Sequence, residues 1–190
     1  MPLTQLDTTA ALIVIDLQKG IVNAPIPTVH PVSEIVRRTA QLVRAFRERG
    51  LPVVLVNVSG RAPGRTDAGA PKFAFPPDWT ELVPELDQQP SDYLVTKQRA
   101  GAFIGTLLDE ILHQRGVTQV FLVGVATSLG VESTARSAYD LGYNVVFVAD
   151  AMTDRDVEVH RISIEKIFPR LGETDTTENV LKLFNPTAPK

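Results

Sequence analysis

The chain of 190 residues contains no cysteine. This absence excludes disulfide bonds, thiolate metal sites and catalysis by a nucleophilic thiol. Histidine is also scarce, and the three at positions 30, 113 and 160 show no spacing typical of a metal site. The chain also lacks the glycine-rich loops that bind nucleotide phosphates. We therefore predict a protein that uses no metal ion and no other cofactor.

Neither sign of charge is in large excess. The 19 Lys and Arg residues stand against 22 Asp and Glu residues, for a net charge of −3. The chain thus offers no basic field for nucleic acid and no polybasic patch for a membrane surface. Its apolar runs are far shorter than the roughly 20 residues of a membrane-spanning helix, and its first residues do not read as a signal peptide. We expect a cytoplasmic protein whose partner is a small-molecule substrate.

The order of apolar segments indicates the fold class. Short runs rich in Val, Ile and Leu alternate with amphipathic helical patterns, which is typical of βαβ units around a parallel sheet. We predict one domain over residues 1–190, a three-layer α/β/α sandwich with a mostly parallel sheet. Strands are predicted near 11–16, 53–58, 92–96, 118–125 and 144–149, with a short sixth near 172–176. Helices are predicted over 31–49, 102–114, 131–141, 157–171 and 177–184, the last capped by Thr176 or Thr177.

Two proline-rich segments interrupt this alternation. Residues 20–31 follow the first predicted strand, and residues 59–91 hold six of the 14 prolines and the single tryptophan. A connection as long as 59–91 is usually functional in a compact domain. Two interpretations stay open for it, a lid or binding loop over the site and a surface that contacts another subunit.

Polar residues follow three of the predicted strands. Asp16 ends the first apolar run, Lys97 ends the third, and the turn 126–130 follows the fourth. Ligands of open parallel sheets bind beyond the carboxyl ends of the strands, so these positions are candidates for a site. Taken singly, the Asp could equally cap a loop and the Lys could be solvated. They converge only if their strands are neighbours.

The three segments together resemble the isochorismatase-like hydrolase family. They read Ala-Leu-Ile-Val-Ile-Asp-Leu-Gln (11–18), Thr-Lys-Gln-Arg-Ala-Gly-Ala-Phe (96–103) and Gly-Val-Ala-Thr-Ser-Leu-Gly-Val-Glu-Ser-Thr-Ala-Arg (124–136). The resemblance extends from Ala11 to about Leu183. It implies a six-stranded sheet of Rossmann-like order 3-2-1-4-5-6, a cis peptide bond between Val125 and Ala126, and a homodimer or larger homo-oligomer.

The resemblance also implies a set of site residues. Asp16, Lys97 and Gly130 would be catalytic, with Gly130 in the position where most members carry a nucleophilic Cys. Backbone N–H groups at Gly130 and Val131 would remain to orient an oxyanion or a water molecule. Arg61 and Arg65 could hold a substrate carboxylate, or could be solvated loop residues. The substrate-binding residues expected are Gln18, Ser59, Arg61, Arg65, Ala126, Thr127, Ser128 and Val131.

Glycine at position 130 is also typical of the true isochorismatases of this family, which cleave a vinyl ether without a covalent intermediate. By analogy, Asp16 would protonate the vinyl carbon and water would attack the resulting cation. Burial raises the pKa of such a carboxyl group and Lys97 lowers it. Where those enzymes have a substrate-contacting Gln and Tyr, this chain has Ser59 and Ala100. These departures argue against isochorismate itself.

Two alternatives stay open at this level. Without the thiol, the chain could be an inactive family member that survives as a ligand-binding or interaction protein. The segment 126–130 also matches an Ala-x-Ser-x-Gly nucleophile elbow, in which Ser128 would act with Asp150 or Asp154 and with His160. That interpretation leaves Asp16 and Lys97 unexplained.

Overall fold

The structure is a computed structural model that describes residues 2–67, 69 and 76–184. Its six strands are β1 (Ala10–Ile15), β2 (Val53–Val58), β3 (Tyr93–Lys97), β4 (Gln119–Val125), β5 (Asn144–Thr153) and β6 (Glu173–Asp175). They form one sheet of order β3-β2-β1-β4-β5-β6, in which every neighbouring pair is parallel. The predicted fold class and strand order are confirmed.

Helices cover both faces of the sheet. They are α1 (Lys19–Val22), α2 (Val32–Glu48), α3 (Leu108–Gln114), α4 (Glu132–Asp140), α5 (Val157–Ile162) and α6 (Thr177–Phe184). The central strand β1 is fully buried, and its alternate side chains enter two separate cores. Leu12 packs into the core with α2 and α6, whereas Ile13 packs into the core with α3 and α4. A strand buried on both faces explains the unbroken apolar run in its sequence.

The helix predicted over 102–114 begins later than expected. Only Leu108–Gln114 is helical, because Gly105 has a φ of +71° and interrupts the turn before it. The Thr106 hydroxyl donates to the Ala102 carbonyl at 2.5 Å and accepts the Leu108 N–H at 3.2 Å. This side chain therefore supplies the first helical N–H with a partner.

The helix predicted over 157–171 is divided into three parts. α5 passes into a π-helical turn at Ser163–Ile167 and then a 3-10 turn at Phe168–Arg170. Pro169 lacks an N–H and cannot continue α-helical hydrogen bonding. At the last helix, Thr176 supplies the predicted cap, since its hydroxyl accepts the Asn179 N–H at 3.3 Å. No helix in the described ranges is long and apolar enough to cross a bilayer.

β1 and β4 approach each other unusually closely at their carboxyl ends. Gly124 pairs with Ile15 and has a φ of +117°. A Cβ atom on Gly124 would lie 2.0 Å from the Ile15 carbonyl oxygen, so only glycine fits there. The chain leaves these two neighbouring strands in opposite directions across the sheet. Such a reversal of strand order opens the crevice in which ligands of this architecture bind.

Candidate active site

Asp16 and Lys97 form a buried ion pair at the carboxyl edge of the sheet. The Lys97 Nζ lies 2.8 Å from Asp16 Oδ2, and the two side chains are 2% and 6% exposed. Asp16 has a φ of +55°, and its N–H donates to the Val56 carbonyl at 2.9 Å. The bond continues the ladder between β1 and β2, and the left-handed backbone of Asp16 ends the extended conformation of β1. The expected convergence of the first and third strand ends is therefore present.

The ammonium group of Lys97 has three acceptors. Besides Asp16 Oδ2, it donates to the carbonyl oxygens of Ala100 at 2.8 Å and Arg99 at 3.3 Å. Three donors thus meet three acceptors, which compensates the cost of burying the charge. The backbone carbonyl groups of the turn after β3 therefore hold the Lys97 ammonium group in place.

The two carboxylate oxygens of Asp16 differ in their surroundings. Oδ2 accepts from Lys97, whereas Oδ1 is buried and has no hydrogen-bond partner among the described residues. Burial raises the pKa of the Asp16 carboxyl from 3.8 to about 6, against the charge and hydrogen bond of Lys97, which lower it. Desolvation outweighs the ion pair because the carboxyl group is almost fully buried. Asp16 can therefore carry a proton at mildly acid to neutral pH.

Gly130 lies directly beside this pair. A Cβ atom built on it would be 3.2 Å from Asp16 Oδ2, 3.1 Å from the Val125 carbonyl oxygen and 3.0 Å from Ile15 Cγ2. A side chain at position 130 would thus contact the carboxylate. The peptide bond between Val125 and Ala126 is cis, as the family resemblance implies.

These residues open into a cavity of about 580 Å³. One wall comes from the segment after α1 and the opposite wall from the start of the long loop 59–91. The loop contributes Gly60, Arg61, Ala62, Gly64 and Thr66 to this lining, whereas residues 68 and 70–75 of the predicted lid lie outside the described part of the chain. Much of the surface is apolar. The lining residues that bear on ligand binding and catalysis are Asp16, Ile21, Ile26, Arg61, Lys97, Arg99, Ala126, Ser128, Leu129, Gly130, Asp154 and Arg155.

The structure brings some of the predicted substrate-binding residues to the cavity, namely Arg61, Ala126 and Ser128. Ser59 is exposed, and neither it nor Arg65 is part of the cavity lining among the described residues. Gln18 is fully buried outside the cavity. Its amide nitrogen donates to the carbonyls of Val58 and Trp79, and its oxygen accepts the Val58 N–H. Gln18 therefore anchors the long loop to β2 instead of meeting a ligand.

Among the described residues, the cavity lining does not include Thr127 or Val131, which the sequence predicted to bind substrate. Both residues are fully buried, and Val131 packs into the core beneath α4. The Val131 N–H donates to the Ala126 carbonyl at 3.1 Å. This N–H is consequently not free to orient an oxyanion or a water molecule. The π-helical turn Thr127–Val131 that precedes α4 directs these groups inward, and a prediction from sequence spacing does not include such a turn.

The serine-hydrolase constellation is not assembled. The Ser128 hydroxyl donates to Asp154 Oδ2 at 2.8 Å, whereas His160 Nδ1 lies 2.9 Å from the hydroxyl of Thr127. Asp150 instead accepts from Thr177 and pairs with Arg38. Burial and then the neighbouring His30 lower the pKa of His160, although Asp154 opposes the shift. A nucleophile and base in mutual contact are therefore lacking around Ser128 in the described structure.

Arg99, Arg155 and the apolar residues after α1 are cavity residues that motif reasoning did not select. Arg155 follows the carboxyl end of β5, so the strand-end rule that selected Asp16 and Lys97 would also have indicated it. The predicted strand ended at 149, four residues before the observed end at Thr153. Because the strand was predicted to end early, Arg155 was not recognised as a strand-end residue.

The isochorismatase domain model matches residues 10–179, which is most of the chain. The chain belongs to the isochorismatase family. It is 41% identical over 179 residues to the isochorismatase family protein YwoC of Bacillus subtilis, covering 90% of this chain and 92% of that protein. The structure of an isochorismatase family protein from Burkholderia thailandensis has a TM-score of 0.89 at 40% identity, covering 95% of this chain and 98% of that chain.

A named isochorismatase of Bacillus subtilis is 29% identical over 178 residues, which are 90% of this chain and 57% of that protein. This isochorismatase-family chain is thus a hydrolase by family membership. It differs from thiol-dependent hydrolases because it lacks the catalytic thiol. It has no cysteine at any position.

Proposed function

We propose that the chain hydrolyses a vinyl ether of the isochorismate type, with Asp16 as the general acid. The observation that carries this proposal is the state of the Asp16 carboxyl. It lines the cavity, one of its oxygens has no donor in the described part of the chain, and burial raises its pKa to about 6. The chain has no thiol for covalent catalysis, and vinyl-ether hydrolysis needs none.

The first step is transfer of the Asp16 proton to the terminal vinyl carbon. That carbon becomes a methyl group, and the positive charge is shared between the adjacent carbon and the ether oxygen. With a pKa of about 6, about a tenth of the molecules carry this proton at pH 7. A general acid operates best when its pKa lies near the working pH.

Water then attacks the cationic carbon and gives up a proton to the Asp16 carboxylate, which restores the acid. The hemiketal formed in this way collapses. Its hydroxyl proton passes to the ether oxygen, the carbon–oxygen bond breaks, and a ketone and an alcohol are released. From isochorismate the ketone would be pyruvate.

Lys97 acts through Asp16 in this scheme. Its bond to Oδ2 at 2.8 Å fixes the carboxyl group and leaves Oδ1 as the oxygen that carries the proton. The ammonium is itself anchored to the carbonyls of Arg99 and Ala100. Its charge also stabilises the carboxylate that remains after proton transfer.

The test is release of pyruvate, measured by mass spectrometry, from isochorismate and from its amino-deoxy analogue. A panel of amides and esters is run in parallel. Asp16→Asn keeps the shape of the side chain and removes the acid, so turnover should fall by about 10²- to 10⁴-fold. Asp140→Asn is the matched control, because Asp140 is an exposed carboxylate at the end of α4.

Pyruvate release that is lost in Asp16→Asn but kept in Asp140→Asn would support the proposal. Ester turnover that survives Asp16→Asn and disappears in Ser128→Ala would replace it with serine catalysis. Binding of a vinyl ether without turnover in the wild-type protein would argue for a ligand-binding role.

A further inference from the structure

The backbone of Arg155, an exposed residue beside the cavity, is anchored by the buried carboxylate of Asp154. Asp154 Oδ1 accepts the Arg155 N–H at 2.8 Å, and Oδ2 accepts both the N–H and the hydroxyl of Ser128 at 2.8 Å. The Asp154 carbonyl accepts the Val29 N–H at 2.8 Å. The backbone at Arg155 is thus anchored to the turn after β4 and to the loop after α1.

The Arg155 side chain lies where two cavities meet. It lines the cavity of Asp16 and also a second one of about 680 Å³. Ile21, Ala24 and Ile26 are shared between the two linings as well. A group bound by the guanidinium would consequently border both spaces.

The guanidinium of Arg155 differs from those of the two other arginines in the cavity. Arg61 donates to the Gly69 carbonyl at 2.5 Å, and Arg99 donates to the Gln98 carbonyl at 2.8 Å. Arg155 makes no side-chain hydrogen bond or ion pair with any residue in the described part of the chain. Its five donors are therefore available to a ligand.

The charges around the cavity favour an anion. Asp16 and Asp154 are the carboxylates of the described lining, and both are already engaged, by Lys97 and by Ser128. The arginines leave an excess of positive charge. Ile21, Ile26 and Leu129 contribute apolar walls to the same space. A ligand that matches both features has an apolar body and one anionic group.

We propose that Arg155 is the specificity-determining residue of this site and that it binds a carboxylate of the substrate. The planar guanidinium fork fits a carboxylate through two parallel hydrogen bonds, and Asp154 anchors the backbone from which the side chain extends. The inference deepens the hydrolase function proposed above, on which it rests, by naming the chemical class of substrate. Neutral analogues of the same shape bind more weakly because they make no charge-assisted pair with the guanidinium.

The test measures dissociation constants for two matched probe pairs, benzoate with benzamide and cyclohexanecarboxylate with its amide. Titrations at low ionic strength compare the wild-type protein with Arg155→Gln and Arg155→Lys. Arg161→Gln is the control, because Arg161 is exposed on α5 and paired with Glu165 at 2.9 Å. Circular dichroism checks that each variant is folded.

The wild-type protein should bind the carboxylates more tightly than the amides. Arg155→Gln should weaken carboxylate binding by about tenfold to a hundredfold and leave amide binding unchanged. Arg155→Lys should restore part of the loss, since it keeps the charge without the fork. Arg161→Gln should match the wild-type protein.

The proposal is overturned if wild-type protein binds neither carboxylate or shows no preference for them, or if Arg155→Gln behaves like Arg161→Gln. A loss in Arg61→Gln or Arg99→Gln alone would also overturn it. Asp16→Asn protein should keep the Arg155-dependent preference. Binding is thereby separated from catalysis, and failure of the acid mechanism is distinguished from failure of this inference.

Discussion

The Lys97 ammonium reaches Asp16 across a whole strand of the sheet. The two residues end β3 and β1, and β2 lies between them, yet Nζ and Oδ2 are 2.8 Å apart. Only a long side chain directed along the edge of the sheet makes this contact. The pair thus links two strands that share no hydrogen bonds, and the charge of Lys97 opposes the burial that raises the pKa of the proposed acid.

The rate of the proposed reaction should fall as pH rises through about 6, because kcat/KM follows the protonated fraction of Asp16. Lys97 lowers the pKa of that carboxyl. Lys97→Met should therefore shift the falling limb to higher pH, besides reducing the rate. A pH profile of pyruvate release measures both effects. Lys166→Met, at an exposed position, should keep the wild-type profile. An unshifted limb in Lys97→Met would contradict the assignment of the limb to Asp16.

The raised pKa of Asp16 should also make the free energy of unfolding depend on pH. The Asp16 carboxyl has a pKa of about 6 when folded and 3.8 in the unfolded chain. At a pH between these two pKa values, the carboxyl group is ionised in the unfolded chain but still protonated in the folded protein. Rising pH therefore favours unfolding. The group should cost about 2 kcal/mol of stability between pH 4 and pH 7.

Asp16→Asn removes this contribution. The free energy of unfolding, measured by denaturant titration at pH 4 and pH 7, should therefore change differently in the variant and the wild-type protein. The wild-type value relative to Asp16→Asn should decrease by about 2 kcal/mol over this range. Asp140→Asn should follow the wild-type protein. Parallel pH dependences in Asp16→Asn and wild-type protein would show that the Asp16 pKa is not raised.

Introducing a thiol at position 130 tests the geometry of the turn after β4. Gly130→Cys should be alkylated by iodoacetamide in the folded state, since Gly130 lines the cavity. Wild-type protein has no cysteine and cannot react. Ala138→Cys is the matched comparison, because Ala138 is fully buried on α4 and a thiol there should be protected. Equal protection at both positions would mean that Gly130 is not accessible from the cavity.

The same substitution should reduce stability. Atoms at 3.0–3.2 Å from the new Cβ must move by a few tenths of an ångström, a type of overpacking that costs about 1–3 kcal/mol. Gly130→Ala should show the same loss of unfolding free energy without any alkylation. A Gly130→Ala variant as stable as the wild-type protein would contradict the close contact.

The approach of β1 and β4 predicts a large cost for Gly124→Ala. Its Cβ would collide with the Ile15 carbonyl at 2.0 Å, in addition to an unfavourable φ, so the loss should exceed about 3 kcal/mol. Gly142→Ala is the control. Its φ is +89° and nothing lies within 4 Å of a new Cβ, so only the backbone cost of about 1 kcal/mol applies. Similar losses in thermal or denaturant unfolding at the two positions would contradict the close approach.

Sequence patterns predicted the sheet well because strands buried on both faces need unbroken apolar runs. The helices were predicted less accurately. Gly105 and Pro169 lie within amphipathic patterns, and each overrides the pattern locally through its backbone. The strand-end rule selected Asp16 and Lys97, while the direction of side chains such as Gln18 and Thr127 depends on partners far away in the chain.

The sequence by itself determined that catalysis involves no thiol, that the chain alternates strands with helices, and that an acid and an amine follow two of those strands. These properties reside in composition and local pattern. The tertiary structure decided that Val131 and Thr127 face inward. It also decided that, among the described residues, one oxygen of Asp16 has no donor and the side chain of Arg155 at the cavity has no partner. Desolvation and hydrogen-bond competition depend on neighbours from distant parts of the chain, which sequence spacing does not specify.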